Sequence, residues 1–308
     1  MLVITGTVMD ISDSFTKDIM RSARDALSIV GAPIRTVLLS DLLLPNVSWD
    51  SYRLFVFTNA YVVGPALRAA LERHCRRPGV TLMWQYSAGL YATANGSSTP
   101  SVDAMRDLVG LPLVRGPGSL HLRTVGAGYD QYPGPGHDPP VDPWYYLNVT
   151  TASSVGAVDV LGRLVEAPSE TKSAGLVRVS HPQGHTTIFS AAPGLPAPLW
   201  RTLTSVAGVH LFTDCIGDAV EVHGDLLTLH ASASCGVGVR TVALPINAMV
   251  VDEAGSIVCS ACARFDSHVL QPGDHVLYSI KQRLGERTSQ RRNSEHRSGG
   301  SADDGLLL

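Results

Sequence analysis

The sequence predicts an α/β fold, a mostly parallel sheet covered by helices on both faces, followed by a small antiparallel β unit. Strand and helix patterns alternate through the first half, which is typical of parallel sheets. From Ala219 to Ile280 the pattern changes to short β-rich runs separated by turns that contain Asp or Gly. With 308 residues, 44% hydrophobic and 17% charged, the chain can bury a sizeable core.

The first half supplies its elements in a regular order. Residues 1–8 are apolar and predict a first strand, and Ser14 is a suitable N-cap for a helix that stops at Gly31. A helix begins at Gly64-Pro65 and is ended by Pro78-Gly79, and another spans residues 101–109 and stops at Gly110. The further predicted strands are residues 35–39, 52–57 and 80–84. This order predicts flavodoxin-like winding.

The second half predicts three further regions. Residues 174–179 and 186–189 form a hairpin around His181-Pro182-Gln183-Gly184, and a last helix spans residues 198–207. The β-rich runs that follow predict a small antiparallel β-sandwich. We therefore expect domains at residues 1–213 and 214–280, and a disordered tail at residues 281–308, which is too polar to order itself.

A segment rich in Gly, Pro, Tyr and Asp interrupts the pattern from Arg115 to Pro143. A loop this long in a compact domain is usually functional or a contact surface. Aromatic rings in a proline-stiffened loop suit protein docking or sugar stacking, because flat faces bury area at little entropic cost. The predicted carbohydrate or partner contacts are Tyr129, Tyr132, Trp144 and Tyr145.

The end of the strand at residues 80–84 is where an α/β hydrolase holds its nucleophile. The sequence there is Gln85-Tyr86-Ser87-Ala88-Gly89, in which Gln85 replaces the first glycine of a G-x-S-x-G elbow. Ser87 is thus a candidate nucleophile, with His181 or His185 as base and Asp103 or Asp214 as carboxylate. Because no convincing helix follows Gly89, the sequence favours a site without catalysis.

Glycoside hydrolysis needs two carboxylates that flank the bond. The acidic residues Glu166, Glu170, Asp214 and Asp218 fall on apparent turns and edges, which predicts solvated surface positions.

Several segments resemble one family in the family order. They are Phe55-Val56-Phe57-Thr58-Asn59-Ala60-Tyr61, residues 67–71, residues 79–89, residues 161–164, residues 189–196, residues 207–212 and residues 229–231. They resemble the β-galactosidase trimerisation domain, which follows the barrel in glycosidases related to family 42 β-galactosidases. The likeness covers roughly residues 1 to 280.

The resemblance implies a class I glutamine amidotransferase-like fold followed by a small β domain. It also implies a non-catalytic role. In amidotransferases a Cys occupies the elbow and His-Pro-Glu follows a late strand, whereas this chain has Ser87-Ala88 and Ser190-Ala191 there. The related glycosidases hold their carboxylates on the preceding barrel, for which this chain, starting at Met1, is expected to have no room.

Charge and cysteine content limit the expected partners and the expected cellular compartment. A net charge of −3 gives no electrostatic footprint for nucleic acid or an anionic membrane surface. Five cysteines, including Cys259-Ser260-Ala261-Cys262, predict buried thiols in a reducing compartment. The N-terminus lacks signal-peptide features. We therefore expect a cytoplasmic protein. Neither a structural metal nor a cofactor has support in the sequence.

Together these observations predict a non-catalytic accessory and oligomerisation region of a glycoside hydrolase-like protein, a pseudoenzyme domain. Its expected partners are other copies of the chain, such as a trimer, or a separate glycosidase barrel, with carbohydrate as a further ligand. Two alternatives stay open, a β-galactosidase-like glycoside hydrolase of carbohydrate metabolism and a Ser hydrolase that uses Ser87.

Overall fold

The computed structural model describes residues 1–5, 14–94, 97–116, 121–124, 144–148, 155–166 and 169–281. The chain divides into two compact units, the first comprising residues 1–211 and the second beginning at Phe212. The tail predicted from residue 281 onwards lies outside the described residues, apart from Lys281, which ends a strand.

The first unit combines one large sheet, a separate hairpin and several helices. Its helices are α1 (Ser14–Ser28), α2 (Pro65–His74), α3 (Val102–Val109) and α4 (Ala197–Val206), with a 3-10 helix at Leu39–Leu43. Its strands are β1 (Leu2–Thr5), β2 (Arg35–Leu38), β3 (Leu54–Phe57), β4 (Thr81–Gln85), β5 (Tyr91–Ala94), β6 (Ser97–Pro100), β7 (Leu113–Gly116), β8 (His121–Thr124), β9 (Trp144–Leu147), β10 (Ala157–Glu166), β11 (Ser169–Ser180) and β12 (Thr186–Ser190).

The large sheet is half parallel and half antiparallel. Strands β2, β1, β3, β4 and β12 lie side by side in that order, and all four pairings are parallel. Beyond β12, strands β11, β10 and β8 continue the sheet antiparallel, and β9 pairs with both β11 and β7. The prediction of an α/β unit is confirmed, but the sheet is mixed where we expected mostly parallel strands. Hairpins join β10 to β11 and β11 to β12, and a short connection forces antiparallel pairing.

Local signals explain several elements. Ser101 caps α3 with its Oγ, which accepts the Ala104 N–H at 3.1 Å, and Gly110 ends the helix in the left-handed conformation at φ 75°. Strands β3 and β4 are buried along their whole length, which suits central strands covered on both faces. Between them the rings of Phe57 and Trp84 stack with centroids 3.9 Å apart.

Two regions differ from the prediction. The hairpin β5–β6 follows Leu90, in a stretch where no strand was predicted. The segment from Arg115 to Pro143 was predicted as one loop, yet β8 lies within it and pairs with β10. Its partner lies some 40 residues along the chain, beyond the reach of a local pattern. Most of the rest of this segment lies outside the described residues.

The second unit is antiparallel, as predicted. Its strands are β13 (Ala219–His223), β14 (Leu226–His230), β15 (Thr241–Asp252), β16 (Ile257–Asp266) and β17 (His275–Lys281), in the sheet order β13, β14, β17, β15, β16. Register shifts between Ala243 and Val251 bend β15 against β16. Alternate residues such as Leu227, Leu229 and Val276 build a core of its own.

A buried ion pair in the second unit contradicts the prediction that Asp218 is a solvated surface residue. Asp218 is 0% exposed, and its Oδ2 accepts the Arg240 Nε–H at 2.7 Å. Its Oδ1 accepts the Ser232 N–H at 2.7 Å. Arg240 also donates to the carbonyls of Gly236 and Gly238. Since both charges are paired and hydrogen-bonded, the chain can bury them.

The prediction of five buried thiols is wrong for four of the cysteines. Cys215 pairs with Cys235 and Cys259 with Cys262 in disulfides, so Cys75 is the one free thiol. The Cys259–Cys262 pair spans a bulge, because Val250 and Ala248 on β15 face Cys259 and Cys262 on β16. No helix in the described parts of the chain is long and apolar enough to cross a membrane.

Candidate functional site

The carboxyl end of β4 contains the predicted nucleophile, but its backbone is strained one residue too early. Tyr86 has φ 54° and is the only non-glycine residue with positive φ in the described ranges. In a nucleophile elbow the strained turn exposes the nucleophile itself. Here Tyr86 occupies that position, and Ser87 follows it with 3% of its surface exposed.

Three backbone amides around Ser87 are already engaged. The N–H of Tyr86 donates to the Ser190 carbonyl at 2.7 Å, and the N–H of Gly89 donates to the Ala60 carbonyl at 2.7 Å. The N–H of Leu90 donates to the Ser87 carbonyl itself at 3.0 Å. An oxyanion hole needs N–H groups aimed at the reacting oxygen. These three amides are therefore not available to form one.

The candidate histidines lie at the opposite edge of the parallel strands from Ser87. His185 immediately precedes β12, whose first residue, Thr186, pairs with Thr81 at the start of β4. Ser87 lies beyond the other end of β4, and the four steps from Thr81 to Gln85 span about 13 Å at about 3.3 Å per residue. Because β4 and β12 are parallel, neither His185 nor His181, in the same turn, can deprotonate Ser87.

The candidate carboxylates do not complete a triad either. Asp103 lies on the first turn of α3 with its side chain 81% exposed, and it pairs with Arg106 at 2.6 Å. Asp214 is an exposed residue of the second unit. An amidotransferase-type nucleophile is also missing here, since the one free thiol, Cys75, follows α2 and burial raises its pKa to about 12.

A row of buried polar side chains crosses three neighbouring strands at this carboxyl edge. Phe57 pairs with Trp84, which places Thr58 beside Gln85, and Gln85 pairs with Ser190 on β12. All three polar residues are at most 1% exposed. Both amide atoms of Gln85 are buried without a hydrogen-bond partner in the described structure. This row was not predicted from the sequence, although a polar residue directly ends each of the three apolar runs.

The four aromatic residues predicted to contact carbohydrate or a partner lie in different places. Tyr129 and Tyr132 lie outside the described residues, and Trp144 begins β9, where it pairs with Gly116. Tyr145 is 3% exposed, and its ring packs edge-on against Tyr86 with centroids 6.0 Å apart. The Tyr145 ring therefore lies in the core of the first unit. The contact role of all four residues stays a prediction.

A cavity of about 420 Å³ lies at the amino edge of β4 and β12, here called the amino-edge cleft. It lies between the C-terminal ends of α2 and α3 and the turn that joins β11 to β12. Its lining includes Glu72, Arg76, Gly110, Val155, His181 and His185. From the sequence, the two histidines were predicted only as partners for Ser87.

The two histidines form one side of the amino-edge cleft as a stacked pair. Their ring centroids are 4.2 Å apart with 14° between the planes. His181 hydrogen-bonds through Nε2 to Thr187 Oγ1 at 2.9 Å and also to the Val155 backbone. Burial, with the neighbouring Arg76, lowers the pKa of His181, and burial, His181 and Arg76 lower the pKa of His185 to about 4. Both rings are therefore neutral at neutral pH.

Arg76 connects the two helix ends at the cleft. Its Nη1 donates to Glu72, which pairs the two charges, and its Nη2 donates to the Leu108 carbonyl near the end of α3. A cation at this position satisfies a carbonyl that the helix leaves unpaired.

One further cluster in the second unit has ligand-like geometry. The ligand atoms of Cys215, Asp218 and Cys235 lie within 4.8 Å of one another. The two sulfurs are joined in a disulfide, and Asp218 is held by Arg240 and Ser232. These donors are therefore already engaged and do not offer a metal site.

Comparison with known proteins gives a relationship of fold. No protein-family model matches the sequence, and no curated protein matches it. Among solved structures, a catalytic mutant of a GH42 β-galactosidase from G. stearothermophilus aligns with a TM-score of 0.54 and 9% identity, over 91% of this chain and 40% of that one. A β-galactosidase from the psychrophilic Marinomonas ef1 aligns with a TM-score of 0.53 and 13% identity, over 91% of this chain and 37% of that one.

A polyextremophilic β-galactosidase from the haloarchaeon Halorubrum lacusprofundi gives a TM-score of 0.54 and 12% identity, over 90% of this chain and 39% of that one. The predicted likeness to family 42 β-galactosidases is thus confirmed for the fold over nine tenths of the chain. This chain spans about two fifths of the length of those enzymes.

Proposed function

We propose that this chain is a non-catalytic association region of a glycoside hydrolase-like assembly, equivalent to the part that follows the barrel in family 42 β-galactosidases. The observation that supports it most is the coverage. The structural likeness takes in about nine tenths of this chain but only about two fifths of each enzyme. Such a ratio is what a shared accessory region would give.

The finer fold assignment belongs to the same proposal. The parallel strands follow the order β2, β1, β3, β4, β12, which corresponds to the order 2-1-3-4-5 of flavodoxin-like sheets and supports an amidotransferase-like first unit. In the second unit Phe265 on β16 contacts Tyr278 on β17 with ring centroids 4.8 Å apart, although β15 lies between those strands. The contact supports a sheet that curls over its own core as a sandwich.

The site geometry supports the absence of catalysis in the described residues. Ser87 and the two histidines lie at opposite strand ends, and Asp103 is exposed and paired with Arg106. Asp218, the most buried of the candidate carboxylates, is bound to Arg240. A glycosidase needs two carboxylates that face one bond, and Asp103 and Asp218 are each already paired with an arginine.

Association is supported by apolar surface in the second unit. Val237, Val239 and Val269 are 66%, 50% and 59% exposed. They flank the antiparallel bridge between Gly238 and Leu270. In an antiparallel pair this bridge places Val239 directly opposite Val269, with both side chains on the same face. Exposed apolar side chains grouped in this way are typical of interaction surfaces. We propose a second copy of the chain as the occupant, and a separately encoded glycosidase barrel as the alternative partner.

The test combines turnover with assembly state. We expect the purified chain to hydrolyse no chromogenic galactoside, arylester or glutamine, and light scattering to show an oligomer. Turnover that disappears in a Ser87→Ala variant would instead establish a Ser hydrolase. Galactoside turnover insensitive to that change would favour the glycosidase alternative.

Two double variants locate the contact. Tyr132→Ala with Trp144→Ala should shift the assembly equilibrium if the predicted loop docks protein, and Val239→Lys with Val269→Lys should do so if the valine patch does. An assembly that neither double variant changes would show that both proposed contact surfaces are wrong. A monomer that captures no glycosidase barrel would refute the association proposal. Loss of retention on an immobilised oligosaccharide with unchanged assembly would make the loop a carbohydrate platform.

The cytoplasmic location belongs to the proposal too, and the disulfides count against it. A reducing cytoplasm would keep Cys215 and Cys235, and Cys259 and Cys262, as thiols. Thiol counting on protein isolated with rapid alkylation decides the point. One free thiol indicates an oxidising compartment, and five indicate the cytoplasm.

A further inference from the structure

We propose that the amino-edge cleft binds an uncharged polyhydroxylated ligand of monosaccharide to disaccharide size. The cleft is distinct from the carboxyl edge at which Ser87 lies, and this inference does not depend on the association role proposed above. It rests on the size of the cavity, on its charge balance and on the hydrogen-bonding groups that line it.

The size fits a small ligand. A volume of about 420 Å³ falls within the range of about 300–1,000 Å³ that is usual for small-molecule sites. The walls are partly apolar, with Val109, Val155 and Pro182 among the lining residues. Such sites combine apolar walls with a few polar groups that fix the orientation of the ligand. The C–H faces of a sugar ring suit walls of this kind.

The charge balance of the cleft disfavours the binding of ions of either sign. The carboxylate of Glu72 and the guanidinium of Arg76 neutralise each other within the cleft. The C-terminal ends of α2 and α3 add partial negative charge, which disfavours an anion. A cation would face Arg76, which already occupies the carbonyl at the end of α3. A neutral ligand meets neither penalty.

The lining offers both donors and acceptors, as hydroxyl groups require. Glu72 accepts, Arg76 donates, and the exposed amide of Gln183 does both. His181 is saturated by Thr187 and the Val155 backbone, but His185 is not. His185 is 7% exposed, and its Nδ1 is buried with no hydrogen-bond partner in the described structure. Because a ligand cannot reach that buried atom, the contact that His185 offers from the cleft wall is its other ring nitrogen, Nε2.

The rigidity of the turn favours binding without rearrangement. The His181 N–H donates to the His185 carbonyl at 3.0 Å, and the Gly184 N–H donates to the His181 carbonyl at 2.9 Å. Gly184 has φ 87°, which a glycine adopts without strain. The stacked imidazoles are thus fixed before any ligand arrives. A pre-organised site loses less entropy when it binds.

The experiment is a titration of the whole chain with galactose and with lactose, followed by calorimetry and by the imidazole C2 proton signals of His181 and His185. We expect saturable binding in the millimolar range, with both signals shifted. Lactose binding tighter than galactose would identify an oligosaccharide end as the ligand, and equal affinity would identify a free monosaccharide. Sodium phosphate, sodium acetate and calcium chloride serve as ionic probes and should not compete.

Two variants and a matched control assign the site. Gln183→Ala should weaken sugar binding about fivefold, the usual effect of one lost hydrogen bond. His185→Phe keeps a flat ring against His181 but removes the nitrogen atoms, and should weaken binding to a similar degree. Gln271→Ala makes the same amide truncation at an exposed residue of the second unit and should bind like the parent chain.

Several results would overturn the inference. They are no saturable response to either sugar, competition by phosphate, acetate or calcium, and an affinity unchanged by both Gln183→Ala and His185→Phe. Thermal melting shows whether His185→Phe still folds. If that variant does not fold, Gln183→Ala, at an exposed turn position, still tests sugar binding. Oligomerisation is measured separately, so failure of the association proposal would leave this result intact.

Discussion

Replacement of Arg240 by methionine tests the buried ion pair of the second unit. Arg240 is 4% exposed and Asp218 is 0% exposed, and their contact measures 2.7 Å. Methionine keeps much of the aliphatic volume but removes the cation. It also removes the donors to the Gly236 carbonyl at 2.7 Å and the Gly238 carbonyl at 3.2 Å. Asp218 would then be a buried carboxylate that keeps only the Ser232 N–H.

The expected cost follows from the burial of both partners. Breaking a buried pair by removing one charge destabilises a protein by about 3–5 kcal/mol, because the other charge stays uncompensated. Arg240→Met should therefore lower the free energy of unfolding of the second unit by about that amount. The double variant Asp218→Leu with Arg240→Met should cost less than the single change, since no unpaired charge remains.

The assay is urea unfolding followed by circular dichroism, with amide hydrogen exchange on β14 and β17. All four tryptophans lie before Phe212, so tryptophan fluorescence reports the first unit separately. A matched control is Arg178→Met, which breaks the pair with Asp159 at side-chain exposures of 34% and 52%. That control should cost less than about 1 kcal/mol, the usual value for a surface pair.

Two results would refute the reasoning. One is an Arg240→Met variant that loses no more stability than Arg178→Met, which would mean that the buried pair contributes no more than a surface pair. The other is a double variant less stable than Arg240→Met alone, which would mean that the uncompensated charge is not the source of the cost.

Three further perturbations test a glycine turn, a buried histidine and a disulfide. Gly89→Ala should destabilise the first unit by about 1–3 kcal/mol, because Gly89 has φ 72° and an added Cβ would lie 2.6 Å from Leu108 Cδ2. Thermal melting measures this loss, and an unchanged melting temperature would contradict it. The folded chain keeps His185 neutral down to a pKa of about 4, whereas an unfolded His binds its proton near pH 6.5, so stability should fall as the pH drops from about 6.5 to about 4. Urea midpoints across that range should show a smaller fall in His185→Phe, and equal falls would exclude this source. Reduction of the Cys215–Cys235 disulfide, whose cysteines are 20 residues apart, should lower the free energy of unfolding by about 3 kcal/mol. An unfolding midpoint that a Cys215→Ser change leaves unaltered would show that the bond is not formed.

Much of the fold was predictable from local pattern. The third helix spans Val102–Val109 between its N-cap Ser101 and its C-cap Gly110, close to the predicted span of residues 101–109 with its stop at Gly110. The hairpin around the turn at residues 181–184 forms as predicted, since Gly184 supplies the positive φ. Caps, turn residues and hydrophobic period act within a few residues, so a single sequence displays them directly.

The candidate site was less predictable because it depends on strand direction and register. Ser87 and His185 looked like partners in the sequence, and the parallel pairing of β4 with β12 places them at opposite edges. The strain at Tyr86 also escaped prediction, since a non-glycine residue with positive φ has no sequence signal of its own.

The sequence by itself determined the alternating first unit, the buried central strands and the antiparallel second unit, because each is specified by residues close together in the chain. Only the tertiary structure decided that Asp218 is buried against Arg240, that Cys215 meets Cys235, and that two histidines line a cleft with Arg76. Each of these depends on a partner 20 or more residues away. Whether a charge is solvated, a thiol oxidised or an imidazole neutral is set by what the fold brings beside it, and local composition does not contain that information.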